Sequence, residues 1–142
     1  GTQTIAGEDW FPYQPTSFPT PPFAEYSSGH SSFSAAGAEI LRLFTGSDRF
    51  GGSVTVPRGS SRVEPGLVPA RDLTLTWATF SDAAAEAGIS RRYGGIHFTQ
   101  GDLDARMTGR VAARRCWARA QSYFAGTAPR PGESAASVRR WK

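Results

Sequence analysis

The chain holds two histidines, and each closes a short polar motif that contains glycine. One motif is Tyr26-Ser27-Ser28-Gly29-His30-Ser31, and the other is Ser90-Arg91-Arg92-Tyr93-Gly94-Gly95-Ile96-His97. A small hydroxyl, a backbone free to approach closely, a guanidinium and two imidazoles can hold and protonate a phosphate-like oxyanion. In that reading the Ser28 hydroxyl and the Gly29 N–H bind oxygens of the anion, and His30 acts on it as acid or base. Arg91 reaches the same anion as a forked donor, with His97 as nucleophile or ligand. Taken singly, each motif also reads as ordinary structure: a serine-capped helix start, and a Gly-Gly turn beside a surface arginine. Their combination, with no other histidine in the chain, points to one anion site.

A helical frame must position these groups. Phe33, Ala36, Gly37, Ile40, Leu41 and Phe44 recur at i, i+3 and i+4, which predicts a helix from Ser31 onward with that stripe facing the core. Ser27 or Ser28 is its natural N-cap and Gly46 its stop. His30 then lies in the first turn, where unpaired N–H groups and the helix dipole favour an anion. Ser53-Val54-Thr55-Val56 and Leu73-Thr74-Leu75-Thr76-Trp77 are expected to pair as a small hairpin across a loop rich in Gly, Ser, Pro and Arg. Ser81 is expected to cap a short helix, Asp82 to Ala87, that Gly88 ends. A long helix is expected from near Asp102 to Phe124, with Leu103, Met107, Val111, Ala118 and Phe124 inward and its arginines outward. The expected fold is mainly α with a minor β-hairpin.

Around this frame, residues 1–25 hold five of the ten prolines, together with Trp10, Phe11, Tyr13, Phe18 and Phe23. They read as an extended strap whose aromatics seek burial. Residues 26–125 form the expected oxyanion-binding domain, and residues 126–142 a loosely held tail.

Composition narrows the classes. At 142 residues, 39% hydrophobic and 20% charged, the chain is one domain long and reads as soluble, with a secreted location left open. No run approaches the ~18 residues of a membrane span. The first residues, Gly1-Thr2-Gln3-Thr4, carry neither an initiator methionine nor a signal peptide, which suggests a processed or partial chain. The single cysteine, Cys116, excludes an internal disulfide and a cysteine-cluster metal site, and is expected to be a small buried apolar residue. The net charge is +4, and eleven of the sixteen basic residues follow position 90. No basic-aromatic module accompanies them, so nucleic acid is not expected as a partner.

The stretch Pro21-Pro22-Phe23-Ala24-Glu25-Tyr26-Ser27-Ser28-Gly29-His30, followed by Arg91-Arg92-Tyr93-Gly94-Gly95-Ile96-His97, resembles the second and third signature motifs of the vanadium-dependent haloperoxidase and type 2 phosphatidic acid phosphatase superfamily. The resemblance spans roughly residues 10–125. The family's P-S-G-H is met by Ser27-Ser28-Gly29-His30, with serine replacing proline, and its S-R-x5-H by Ser90, Arg91 and His97. The family often carries an aspartate four residues beyond the last histidine; here that position is Gly101 and the acid is Asp102.

The resemblance implies a helical bundle holding vanadate, with phosphate able to occupy the same site. It implies that Ser28, Gly29 and Arg91 bind equatorial oxygens, that His97 binds vanadium axially, and that His30 is the acid-base group. In a phosphatase the same His97 would attack phosphorus in line and His30 would protonate the leaving group. One donor cage suits both, because five-coordinate vanadate resembles the phosphoryl-transfer transition state. Phe23 stands where haloperoxidases of the family carry an aromatic or histidine, which favours oxidation of halide by hydrogen peroxide. The alternatives are a soluble acid phosphatase with a phosphohistidine intermediate, or a non-catalytic remnant. The family's first motif, K-x6-R-P, is absent: the only lysine is Lys142, and no Arg-Pro precedes Ser28. The expectation is therefore that an N-terminal segment or companion chain supplies that lysine and Arg-Pro. Without it, this chain should leave an apolar face open.

Overall fold

The computed structural model describes residues 4–15, 17 and 25–128. A short 3-10 turn, Gly7–Asp9, precedes α1 (Gly29–Thr45), β1 (Arg49–Val56), β2 (Leu73–Thr79), α2 (Phe80–Tyr93) and α3 (Thr99–Phe124). The two strands form one antiparallel hairpin, so the architecture is a helical bundle with a minor β-hairpin, as the sequence led us to expect. Val54 pairs with Leu75 and Gly52 with Trp77, and the register shifts between Arg49 and Gly52. The strap's Phe18 and Phe23, and the tail from 129 onward, lie outside the described residues.

Helix ends follow local chemistry. Ser28 caps α1, its hydroxyl accepting from the Ser31 N–H at 3.3 Å, and Gly46 closes it at φ 71°. For α2 the cap is Thr79, not Ser81. The Thr79 hydroxyl accepts from the Asp82 N–H while the Asp82 carboxylate accepts from the Thr79 N–H, a reciprocal capping box. Nor does Gly88 end that helix, which runs on to Tyr93. Gly88 is there for close approach: a Cβ on it would stand 2.3 Å from Asp102 Oδ1 on α3.

The faces of α1 and α3 correct the expected core. The buried residues are Ser31, Ala35, Ala38 and Glu39 on α1, and Gly101, Asp102, Ala105, Gly109 and Ala113 on α3. The helices meet through small residues; a Cβ on Gly109 would lie 2.1 Å from the Ser32 carbonyl oxygen. The larger apolar stripe points outward. Phe33 is 81% exposed, Phe44 75% and Phe124 80%, and Leu41, Leu103, Met107 and Val111 are also exposed. Cys116 is exposed as well, not buried. In the strap, Trp10 and Tyr13 remain about half exposed and Phe11 mostly so, although the Tyr13 N–H donates to the Gly94 carbonyl at 3.0 Å. Aromatic packing is concentrated at the hairpin, where Phe50 lies 5.1 Å from Phe80 between ring centroids.

Charges take part in the small-residue core. Glu39 accepts from Arg42 Nη2 at 2.7 Å and from Arg114 Nε at 2.6 Å. The Arg42 hydrogen bonds, helped by Arg114, hold its pKa at about 2 against burial. A depressed carboxylate pKa stabilises the fold fully above the ordinary carboxylate value, and that stability is lost as pH falls through about 2. Both arginines are substantially exposed, so solvent screening limits the contribution to about 1–3 kcal/mol. Denaturant unfolding between pH 5 and pH 2 should show Glu39→Gln losing that much less stability than the parent. Parallel pH curves for the two proteins would remove the ion pair from the account.

Candidate functional site

Four of the five sequence-predicted residues sit at helix ends. Ser28 caps α1, Gly29 and His30 form its first turn, and Arg91 lies in the last turn of α2. His97 precedes α3 by two residues. The fold brings three of them into electrostatic contact. Burial, then Arg91, then His97 lower the His30 pKa from its ordinary value, even though the residue remains exposed at the helix tip. Burial likewise lowers that of Arg91.

Ser28 is fully buried, and its N–H donates to the Gly101 carbonyl at 3.2 Å, pinning the start of α1 to α3. The Ser28 and Ser31 hydroxyls are 2.8 Å apart, and the Ser31 hydroxyl lies 2.8 Å from Asp102 Oδ1. A carboxylate only accepts, so the one Ser31 proton goes to Asp102 and Ser28 supplies the proton between the hydroxyls. Asp102 is itself fully buried and gripped by Arg106, Nε to Oδ1 at 2.6 Å and Nη2 to Oδ2 at 2.5 Å, with Arg92 at 3.8 Å. Burial would raise the Asp102 pKa, but Arg106, Ser31 and Arg92 together lower it. Its carboxylate braces the α1 cap and α3, while a different group braces His97. Beside Gly29 there is open space: a Cβ there would meet nothing within 4 Å. Gly29 is exposed in the first turn of α1.

The His97 side chain is 1% exposed, and Nδ1 lies 2.7 Å from the main-chain carbonyl oxygen of Glu25. A carbonyl can only accept, so Nδ1 carries the proton and the neutral ring has its lone pair on Nε2. That is the tautomer a nucleophile or a ligand at Nε2 requires. Trp10, Glu25, Gly95, Ile96, His97 and Phe98 surround a cavity of about 490 Å³. The Trp10 ring occupies the space beside Gly95, where a Cβ would stand 3.0 Å from it at φ 71°.

Two polar groups are buried with no hydrogen-bond partner among the described residues: Arg91 Nε and the side-chain amide of Gln14. An unanswered guanidinium N–H beside two imidazoles suits an oxyanion. Sequence reasoning missed Glu25, Gln14 and Arg106. Glu25 lies within the first motif stretch but acts across more than 70 positions, and Gln14 belongs to no motif, whereas the i, i+4 spacing of Asp102 and Arg106 was a visible signal. Among the described residues no group of three or more His, Cys, Asp or Glu gathers as a metal site.

A family model of the VCPO second helical-bundle domain matches residues 1–126. The chain belongs to this family. It thereby joins the vanadium haloperoxidase superfamily, to which its two histidine motifs show the resemblance noted above. A holo-type bacterial vanadium-dependent chloroperoxidase structure is 29% identical, with a TM-score of 0.68 over 75% of this chain and 22% of that one. The apo-type structure is 28% identical, with a TM-score of 0.76 over 89% of this chain and 26% of the other. A bacterial vanadium-dependent iodoperoxidase is 34% identical, with a TM-score of 0.52 over 75% and 22%. No curated protein matches. The VCPO second-bundle domain described here thus spans about a quarter of the length of those structures.

Proposed function

We propose that this domain supplies part of a vanadate site in an enzyme that oxidises halide with hydrogen peroxide. The observation that carries the reading is Arg91 Nε, buried without a partner among the described residues and in electrostatic contact with His30 alongside His97. The exposed Gly29 at the start of α1 and the His97 tautomer suit the same anion. Bound vanadate supplies an electrophilic centre that activates hydrogen peroxide toward halide. Gly29 and Arg91 would hold its oxygens, and the Nε2 lone pair of His97 would bind the vanadium. Ser28 joins by turning its hydroxyl proton from Ser31 to an anion oxygen, and Ser31 keeps its own proton on Asp102. His30, at the exposed helix tip, moves the proton. Phosphate fits the same donors and should compete.

Two further cations complete the cage in this reading, a lysine and an Arg-Pro from an N-terminal segment or companion chain. The outward apolar stripe of α1 and α3 offers that partner a docking face. Among the described residues no helix is long and apolar enough to cross a membrane.

The test is Arg91→Lys. A point charge replaces a forked donor, and one charge-assisted hydrogen bond is worth about 1.5–3 kcal/mol, so vanadate affinity should fall about 10- to 100-fold in equilibrium titration. Unchanged affinity would remove Arg91 from the site.

A further inference from the structure

Glu25 meets His97 twice. Its main-chain carbonyl takes the Nδ1 proton at 2.7 Å, and its Oε1 lies 3.6 Å from the same nitrogen. That Oε1 also accepts from the Phe98 N–H at 2.8 Å. Phe98 is the N-cap of α3 and has no side-chain cap of its own. In a capping box the residue at the third helical position reaches back to the N-cap N–H. Here that position is Gly101, which has no side chain to do so. A Cβ on Gly101 would stand 2.0 Å from Glu25 Oε1. The carboxylate of Glu25 and a side chain at 101 therefore exclude each other.

We propose that Glu25 is the positioning residue of His97: its carboxylate caps α3 from outside the helix, in the space Gly101 vacates, and so clamps its own carbonyl onto the Nδ1 proton. Without that anchor at Phe98 N–H, nothing on the Glu25 side chain ties the carbonyl to the start of α3, and the ring loses the acceptor that fixes its tautomer. This inference rests on the vanadate-site reading, in which His97 Nε2 is the ligand.

The pairing gives a reciprocal experiment. Glu25→Ala, Gly101→Asp, the double variant and Glu25→Gln are compared by ring ¹⁵N spectra of histidine-labelled chain without any anion, and by titration with orthovanadate. With two histidines in the chain, the spectra assign readily. Glu25→Ala should mix the His97 tautomers and weaken vanadate about 10- to 100-fold, the range seen when a partner behind a ligating histidine is removed. Gly101→Asp alone should also impair both readouts, because the new side chain overlaps Glu25. The double variant should recover the single tautomer and most of the affinity, since aspartate at the third position can reach the same N–H. Glu25→Gln keeps an acceptor for Phe98 and should stay near the parent, which separates positioning from loss of fold. A parent-like tautomer and affinity in Glu25→Ala, or a double variant no better than Glu25→Ala, would overturn the proposal. Vanadate affinity that survives His97→Ala would instead overturn the underlying site, so the two failures are distinguishable.

Discussion

His97→Ala is expected to reduce vanadate-dependent halide oxidation to background in an enzyme that carries this domain. The substitution removes the only direct bond the domain offers to vanadium in our reading, and no other histidine is near enough in role to replace it. The fold should tolerate the change at a cost of about 1–3 kcal/mol, because the Glu25 carbonyl loses its donor. Helical circular dichroism should therefore persist while activity does not. The informative assay follows halide oxidation and phosphate-ester hydrolysis on one sample, with and without vanadate, and with phosphate as competitor. Strong ester hydrolysis without vanadate-dependent halide oxidation would replace the haloperoxidase reading with a phosphatase. Activity surviving His97→Ala would reject the mechanism.

His30→Ala should separate binding from turnover. Vanadate should remain bound, though more weakly, while turnover falls about 10²- to 10⁴-fold, as for loss of a general acid-base group. The sign of its pH dependence follows from the site. Burial, Arg91 and His97 lower the His30 pKa, so the anion-free ring is neutral above that depressed value and gains its proton only as pH falls through it. A bound anion offsets Arg91 and draws the pKa upward, so binding should be accompanied by proton uptake. In His30→Ala that uptake and the matching limb of the pH–rate profile should both vanish. A variant that kept the parent's profile would assign the proton transfer to another group.

The parts of this fold that follow from local chemistry were legible in the sequence. Ser28, Gly46 and the paired β-prone runs act through neighbours a few residues away, and each stands where the pattern put it. The misreadings share a cause in packing between distant segments. Gly88 looks like a stop until Asp102 and Arg106 are seen pressed against it. Periodicity found the stripe of Phe33, Leu41 and Phe44 but not its direction, because in this domain the inward face belongs to Ala35, Ala38, Ala105 and Gly109. Large apolar residues normally claim the interior; here small ones do so because the helix backbones come close enough to exclude anything bigger. The candidate site was readable as a set of residue types, since oxyanion chemistry restricts the choice. Its support was not: Glu25 reaches His97 across 72 positions.

That close approach of backbones has a mechanical meaning. At Gly109 the two helices bear on each other through rigid main chain, with no soft side chain to absorb an error. The contact acts as a fulcrum, about 15 Å along α3 from its first turn. A single methyl group wedged there would push α1 off α3 at Ser32, two residues from His30, while the start of α3 next to His97 lies at the far end of the lever. Substitutions distant from any ligand would then register as faults of the site, and the precision of the donor cage would be set by a residue that has no side chain.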